Sequence, residues 1–118
     1  MNVKATGISL TPAIDDYIWK KINMLEKFFE REALASVEVG RTTKHHKSGD
    51  IFRAEIKITT NGQIYYAVSE KDDLYTAIDE VKDKIVRELT SRRKKVIRLF
   101  RRGGAKIKDL IKGIRSHF

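Results

Sequence analysis

Apolar positions recur along this chain with two different periods, and the switches between them mark six elements. Residues 2–6, Asn-Val-Lys-Ala-Thr, read as a short strand closed by Gly7. Thr11 then suits a helix N-cap, and Pro12 the first helical position, where no backbone donor is needed. Ile14, Tyr17, Ile18, Leu25, Phe28 and Phe29 follow at helical spacing and make one apolar face, predicting a first helix that ends near residues 30–31. Residues 34–43 change to alternation, with Val37 and Val39 on one side and Gly40 a possible bulge. Residues 43–50 read as a polar loop. Residues 51–60 alternate strongly, Phe52, Ala54, Ile56 and Ile58 against Arg53, Glu55, Lys57 and Thr59. Asn61-Gly62 is a strong hairpin signal, because both central residues of a type I′ turn need positive φ. Ile64, Tyr66 and Val68 then carry the apolar alternation into a fourth strand.

Asp72 or Asp73 caps a second, longer helix whose apolar stripe is Leu74, Ile78, Val81, Ile85, Leu89 and Val96. Arg92 falls on that stripe, so the helix is expected to outrun the sheet and project its last turns into solvent. Gly103-Gly104 breaks it. The order β-α-β-β-β-α predicts an α+β fold: a four-stranded, mainly antiparallel sheet with two helices packed on one face. Residues 1–102 form the folded domain and residues 103–118 a separate tail. In that tail Ile107, Leu110, Ile111, Ile114 and Phe118 keep helical spacing between Lys106, Lys108, Lys112 and Arg115, the pattern of a basic amphipathic helix. Packing on the domain, dimerisation, a protein partner and a membrane surface all remain open for it.

The charge distribution changes the picture most. Residues 1–91 hold 14 Lys/Arg against 15 Asp/Glu, whereas residues 92–118 hold 11 against one, Asp109. A near-neutral body therefore carries a strongly cationic end, and polyanions are its natural partners. On a helical wheel Lys84, Arg87, Lys94, Lys95 and Arg98 share a sector of roughly 100° beside the apolar stripe. Seven of the eleven residues from 92 to 102 are basic, more than a helix C-terminus needs to balance its dipole. Phosphate is the anion such a ridge suits, since each neutralised phosphate releases condensed counterions. No recognition helix for a DNA groove is evident, and most aromatics belong to core stripes, Trp19, Tyr65 and Tyr75 excepted. Trp19 reads equally as a contact residue or a chance exposure. Shape and phosphate recognition of structured RNA fits best.

Catalytic chemistry finds little support. There is no glycine-rich phosphate loop, no metalloprotease motif and no nucleophile elbow. The chain has no cysteine, which excludes disulfides and a thiolate metal site. His45 and His46 are adjacent and make a weak metal pair at best, since a site needs three or four converging ligands. No enzyme activity, cofactor, metal or small-molecule substrate is expected. No apolar leader and no run of 18 or more apolar residues is present, so no membrane is expected, and a cytoplasmic protein is.

Several segments resemble the ribosome hibernation-promoting factor and ribosome-associated inhibitor family. They are the opening Asn-Val-Lys-Ala-Thr-Gly, the helix start Thr11-Pro12-Ala13-Ile14, the run Leu25-Glu26-Lys27-Phe28-Phe29 and Asn61-Gly62. The most specific is Asp73-Leu74-Tyr75-Thr76-Ala77-Ile78-Asp79, followed by Asp83-Lys84-Ile85, Arg87 and Leu89. The resemblance covers about residues 1–95. It implies a fold similar to double-stranded-RNA-binding domains. It also implies a non-enzymatic function: binding rRNA of the small ribosomal subunit in the messenger and transfer RNA channel, and so holding an idle ribosome inactive. Matching basic positions are Lys21 and Lys27 on the first helix, and Lys84, Arg87, Arg92, Arg93, Lys94 and Lys95 on the second; the charge map adds Arg98. In place of the acidic extension or large second domain of other branches stands the basic tail. A competing expectation is an adaptor that docks on a membrane surface or protein partner through that tail.

Overall fold

The computed structural model describes residues 1–29, 32–42 and 49–101, with side chains described as far as Ser91. Four strands, β1 (Asn2–Thr6), β2 (Leu34–Thr42), β3 (Ile51–Thr60) and β4 (Gln63–Lys71), form one sheet in the order β1-β2-β3-β4. β1 pairs with β2 in parallel, and the other two pairings are antiparallel. The helices are α1 (Pro12–Asn23), between β1 and β2, and α2 (Leu74–Arg101), after β4. The α+β architecture and the element order are those expected from the pattern.

Local chemistry fixes the element ends. Thr11 is extended and its hydroxyl accepts from the Ile14 N–H at 3.2 Å, with Pro12 at the first helical position. Of the two candidate caps for α2, Asp73 serves: its carboxylate accepts from the Thr76 N–H and hydroxyl, both at 2.9 Å. Asn61 and Gly62 have φ of 55° and 71°, the backbone a tight hairpin turn demands. That turn pairs Thr60 with Gln63 and so sets the register of the whole β3–β4 ribbon.

Three expectations are corrected. First, α1 stops at Asn23 instead of running to residues 30–31. The chain tightens into a 3-10 turn, Glu26–Phe28, in which the Phe28 N–H donates to the Leu25 carbonyl at 2.9 Å. Leu25 becomes fully buried, and Phe29, already extended, leads toward β2. Second, Gly40 is not a bulge. It pairs regularly with Thr6 and Arg53, and a Cβ there would lie 2.5 Å from the Thr6 carbonyl oxygen. Glycine is what lets the end of β1 approach. Third, Ile64, Tyr66 and Val68 lie on the open face of β4. Tyr65, Ala67 and Ser69, partners of Ile58, Ile56 and Ala54, face the helices. Both phases of that strand contain apolar residues, so alternation alone does not choose between them.

One core lies between sheet and helices. α1 contributes Ile18 and Ile22; β2 and β3 contribute Val37, Val39, Ala54, Ile56 and Ile58; α2 contributes Leu74, Ala77, Ile78, Val81, Ile85 and Leu89. Each large aliphatic side chain buried this way contributes about 1.5–3 kcal/mol. Leu89 is the last buried residue described on α2, and the helix continues twelve residues beyond it, about 18 Å at 1.5 Å per residue.

Candidate nucleic-acid interface

Of the cations expected to touch RNA, Lys21 stands on α1, Lys27 on the 3-10 turn that follows it and the rest on α2, and the two helices pack side by side against the same core. Their contact is polar as well as apolar. Tyr17 and Lys21 are four apart on α1, and Tyr75 and Asp79 are four apart on α2, so each pair shares a helix face. The pairs interlock. The Tyr17 hydroxyl donates to Asp79 Oδ1 at 2.5 Å, and Lys21 Nζ lies 3.1 Å from the same oxygen. The Tyr75 ring meets the Tyr17 ring edge-on at 4.9 Å, and Lys21 Nζ sits 5.2 Å from the Tyr17 ring centroid. Burial works to raise the Asp79 carboxyl, but hydrogen bonds from Tyr17 and Lys21 outweigh it and hold the group below its ordinary range. The same bonds raise Lys21 and Tyr17.

Lys21 is therefore an internal tie. Its side chain is only 21% exposed, and its charge is answered by Asp79. Its amine turns to Asp79 on α2. Lys84 is also engaged: Nζ donates to the Val68 carbonyl of edge strand β4 at 2.8 Å. An ammonium has three donors, so a carbonyl leaves two for a further acceptor. Beside it the buried Ser69 hydroxyl donates to Glu80, which also meets Lys71 Nζ at 3.4 Å.

Lys27 and Arg87 are different. Both are exposed, and neither has an ion-pair partner among the described residues. Lys27 stands on the 3-10 turn with Nζ 5.4 Å from the Phe28 ring centroid. Arg87 stands on α2, two residues before the last buried leucine described. The side chains of Arg92, Arg93, Lys94, Lys95 and Arg98 lie outside the described set, but their backbone belongs to the one uninterrupted helix. Helical periodicity thus carries from Lys84 to Arg98 without a break, as the wheel requires. His45, His46 and the tail lie outside the described residues. Among the described residues no helix is long and apolar enough to cross a membrane.

The Tyr17–Lys21–Asp79 tie was not evident from sequence as a unit. Its signal was the pair of matching four-residue spacings; what was missing was the knowledge that α1 and α2 meet at that level, 62 residues apart.

Comparison with known proteins agrees with this architecture. The N-terminal domain of Thermus thermophilus Protein Y superposes with a TM-score of 0.66 at 29% identity, covering 75% of this chain and 96% of that one. A ribosomal subunit interface protein from Coxiella burnetii gives 0.60 at 16% identity over 79% of this chain and 96% of its own, a likeness of fold. The Ribosome hibernation promoting factor of Klebsiella oxytoca is 30% identical over 98 residues, 81% of this chain and 95% of the relative. The Ribosome hibernation promotion factor of Bacillus subtilis is 29% identical over 115 residues, 98% of this chain, which spans only 59% of that longer protein. The model of the sigma 54 modulation protein / S30EA ribosomal protein family matches residues 1–97, more than four-fifths of the chain; the protein belongs to that family.

Proposed function

We propose that this protein is a non-enzymatic hibernation factor that binds rRNA of the small ribosomal subunit and occludes the messenger and transfer RNA channel. A ribosome partner would place it in the cytoplasm. The observation that carries the reading is the form of α2. Its first part is anchored by a buried apolar stripe, and the same uninterrupted helix then continues into a segment where cations are dense and acids absent. A rod fixed at one end presents its charge without the ordering cost a free basic peptide would incur on binding. The named relatives and the matched family support the ribosome as partner.

The internal partners of Lys21 and Lys84 support a ranking of the cations within this reading. Arg87, Lys27 and the segment from Arg92 to Arg98 are the primary phosphate contacts in this proposal. Lys84 is secondary, and Lys21 chiefly holds α1 and α2 in register. Sedimentation with purified small subunits tests the reading. The protein should co-pellet at low salt, and with six to ten phosphates neutralised its affinity should fall by about 10³–10⁵ between 50 and 200 mM salt. It should also slow a cell-free translation reaction. Absence of co-pelleting at 50 mM salt would overturn the proposal.

A further inference from the structure

The flank of α1 that faces away from α2 carries chemistry the RNA reading does not use. Tyr17 and Lys21 turn toward Asp79 on α2. Trp19 is two residues from each, so at about 100° per residue it lies on roughly the opposite side of the helix. It is 41% exposed, a large aromatic surface left open to water. Beside it is a groove of about 360 Å³ with apolar walls that include Met1, Trp19, Phe29 and Ala35. Glu26 and Glu32 also line it, and among the described residues no lysine, no arginine and no residue of α2 does. Both carboxylates are exposed, and neither has an ion-pair partner among the described residues. On a chain of net charge +9 the groove is a local reversal of sign.

Those charges decide what the groove can hold. A phosphate would meet two carboxylates, so the exposed indole is poorly placed for an RNA backbone. A purely apolar partner would desolvate the carboxylates without pairing them. A partner that carries cations beside an apolar side chain answers both, and an indole is also the aromatic ring that best attracts a cation. The volume is at the low end of ligand cavities, about 300–1,000 Å³, and suits a few side chains. We propose that the groove docks a basic, apolar-anchored segment of another protein. One large apolar side chain of that segment packs on Trp19 and Phe29, and lysines or arginines next to it meet Glu26 and Glu32. The cationic part of α2 stays free, so RNA phosphate and a protein partner can be held at the same time.

Trp19 is the only tryptophan and reports on the groove directly. The probe is a six-residue capped peptide of two leucines among four lysines, titrated into the full chain at 150 mM salt. There the Debye length is about 8 Å, so the groove's own acids outweigh the distant cations. Trp19 emission should shift to the blue with saturation, and acrylamide quenching should fall several-fold. The same peptide with glutamate in place of lysine, or serine in place of leucine, should bind at least tenfold more weakly. E26K/E32K changes two exposed residues; it should keep the parent's melting temperature and lose tenfold or more in affinity for the lysine peptide. An unsaturable or absent response would overturn the proposal, as would equal binding of the glutamate peptide or an unchanged affinity in E26K/E32K. Two further results would reassign the groove and so overturn it. An oligouridine that displaces the peptide and shifts Trp19 emission would give the indole to RNA. Emission of the protein alone that reddens on dilution would give the groove to a second copy of this chain.

Discussion

The two parts of α2 place charge in opposite ways. From Leu74 to Leu89 acids and bases nearly balance, and several have partners across the fold: Asp79 with Tyr17 and Lys21, Glu80 with Ser69 and Lys71, Lys84 with the Val68 carbonyl. From residue 92 to 101 there are six bases and no acid. Charge in the first part is structural glue between helix, helix and strand. Charge in the second part has no partner in its own segment, and a protein that bound nothing anionic would bear the repulsion for no return. The comparison teaches that a basic residue on a helix face is a candidate contact only after its neighbours on other elements have been inspected.

The sharpest way to break that contrast is to reverse the second part. Replacing Arg92, Arg93, Lys94 and Lys95 with glutamate should lower affinity for small subunits by about 10³-fold or more at 100 mM salt and flatten the salt dependence by about four phosphates. The melting temperature should stay the same or rise, since like-charge repulsion is relieved. Unchanged pelleting would show that the rod is not the contact. A finer cut compares two residues one turn apart. Arg87→Ala should weaken binding about tenfold at 100 mM salt, with one phosphate lost from the slope. Lys84→Met, which keeps the aliphatic stem, should instead cost stability, about 1 kcal/mol by thermal or urea unfolding, and weaken binding less. If the two variants behaved alike, the distinction between tied and free cations would fail.

Most of the fold was legible because local signals and long-range pairing agreed. Thr11-Pro12, Asp73 and Asn61-Gly62 each solve a backbone problem that only a few residues can solve, so they mark ends wherever the chain packs. What was not legible depended on a partner. Leu25, Phe28 and Phe29 have the same spacing in an α-helix and in the chain that tightens after Asn23. Only the burial of Leu25 under the sheet decides the matter. In β4 both alternating phases carry apolar side chains, and the inner one is chosen by the register the turn imposes. Of the candidate site, the wheel placed Lys84 and Arg87 on one face correctly but gave angles, not neighbours. It was blind to the Val68 carbonyl, and to Asp79 reaching Lys21 across the helix pair.

The smallest effect separates the parts of α2 by pH. Asp79 is held ionised by Tyr17 and Lys21, so its folded-state pKa lies below that of the unfolded chain. A carboxylate of this kind contributes stability that is complete above the ordinary aspartate pKa of about 3.9 and is lost as pH falls through the depressed folded value. Asp79→Asn removes the charge but keeps an oxygen for the Tyr17 hydroxyl, leaving Lys21 without its counter-ion. The carboxylate is 45% exposed, so solvent screening keeps the loss modest, about 0.5–1 kcal/mol at neutral pH. The gap between parent and variant in urea unfolding should be widest near pH 7 and close progressively below pH ~4. Subunit binding at neutral pH should keep its salt slope, because no phosphate contact is removed. A stability gap that persisted undiminished into acid would mean the carboxylate charge does not hold the helices together. A changed salt slope would mean that Lys21, released from Asp79, joins the RNA contacts, and the boundary between the two kinds of charge would then lie inside the helix pair and not along α2.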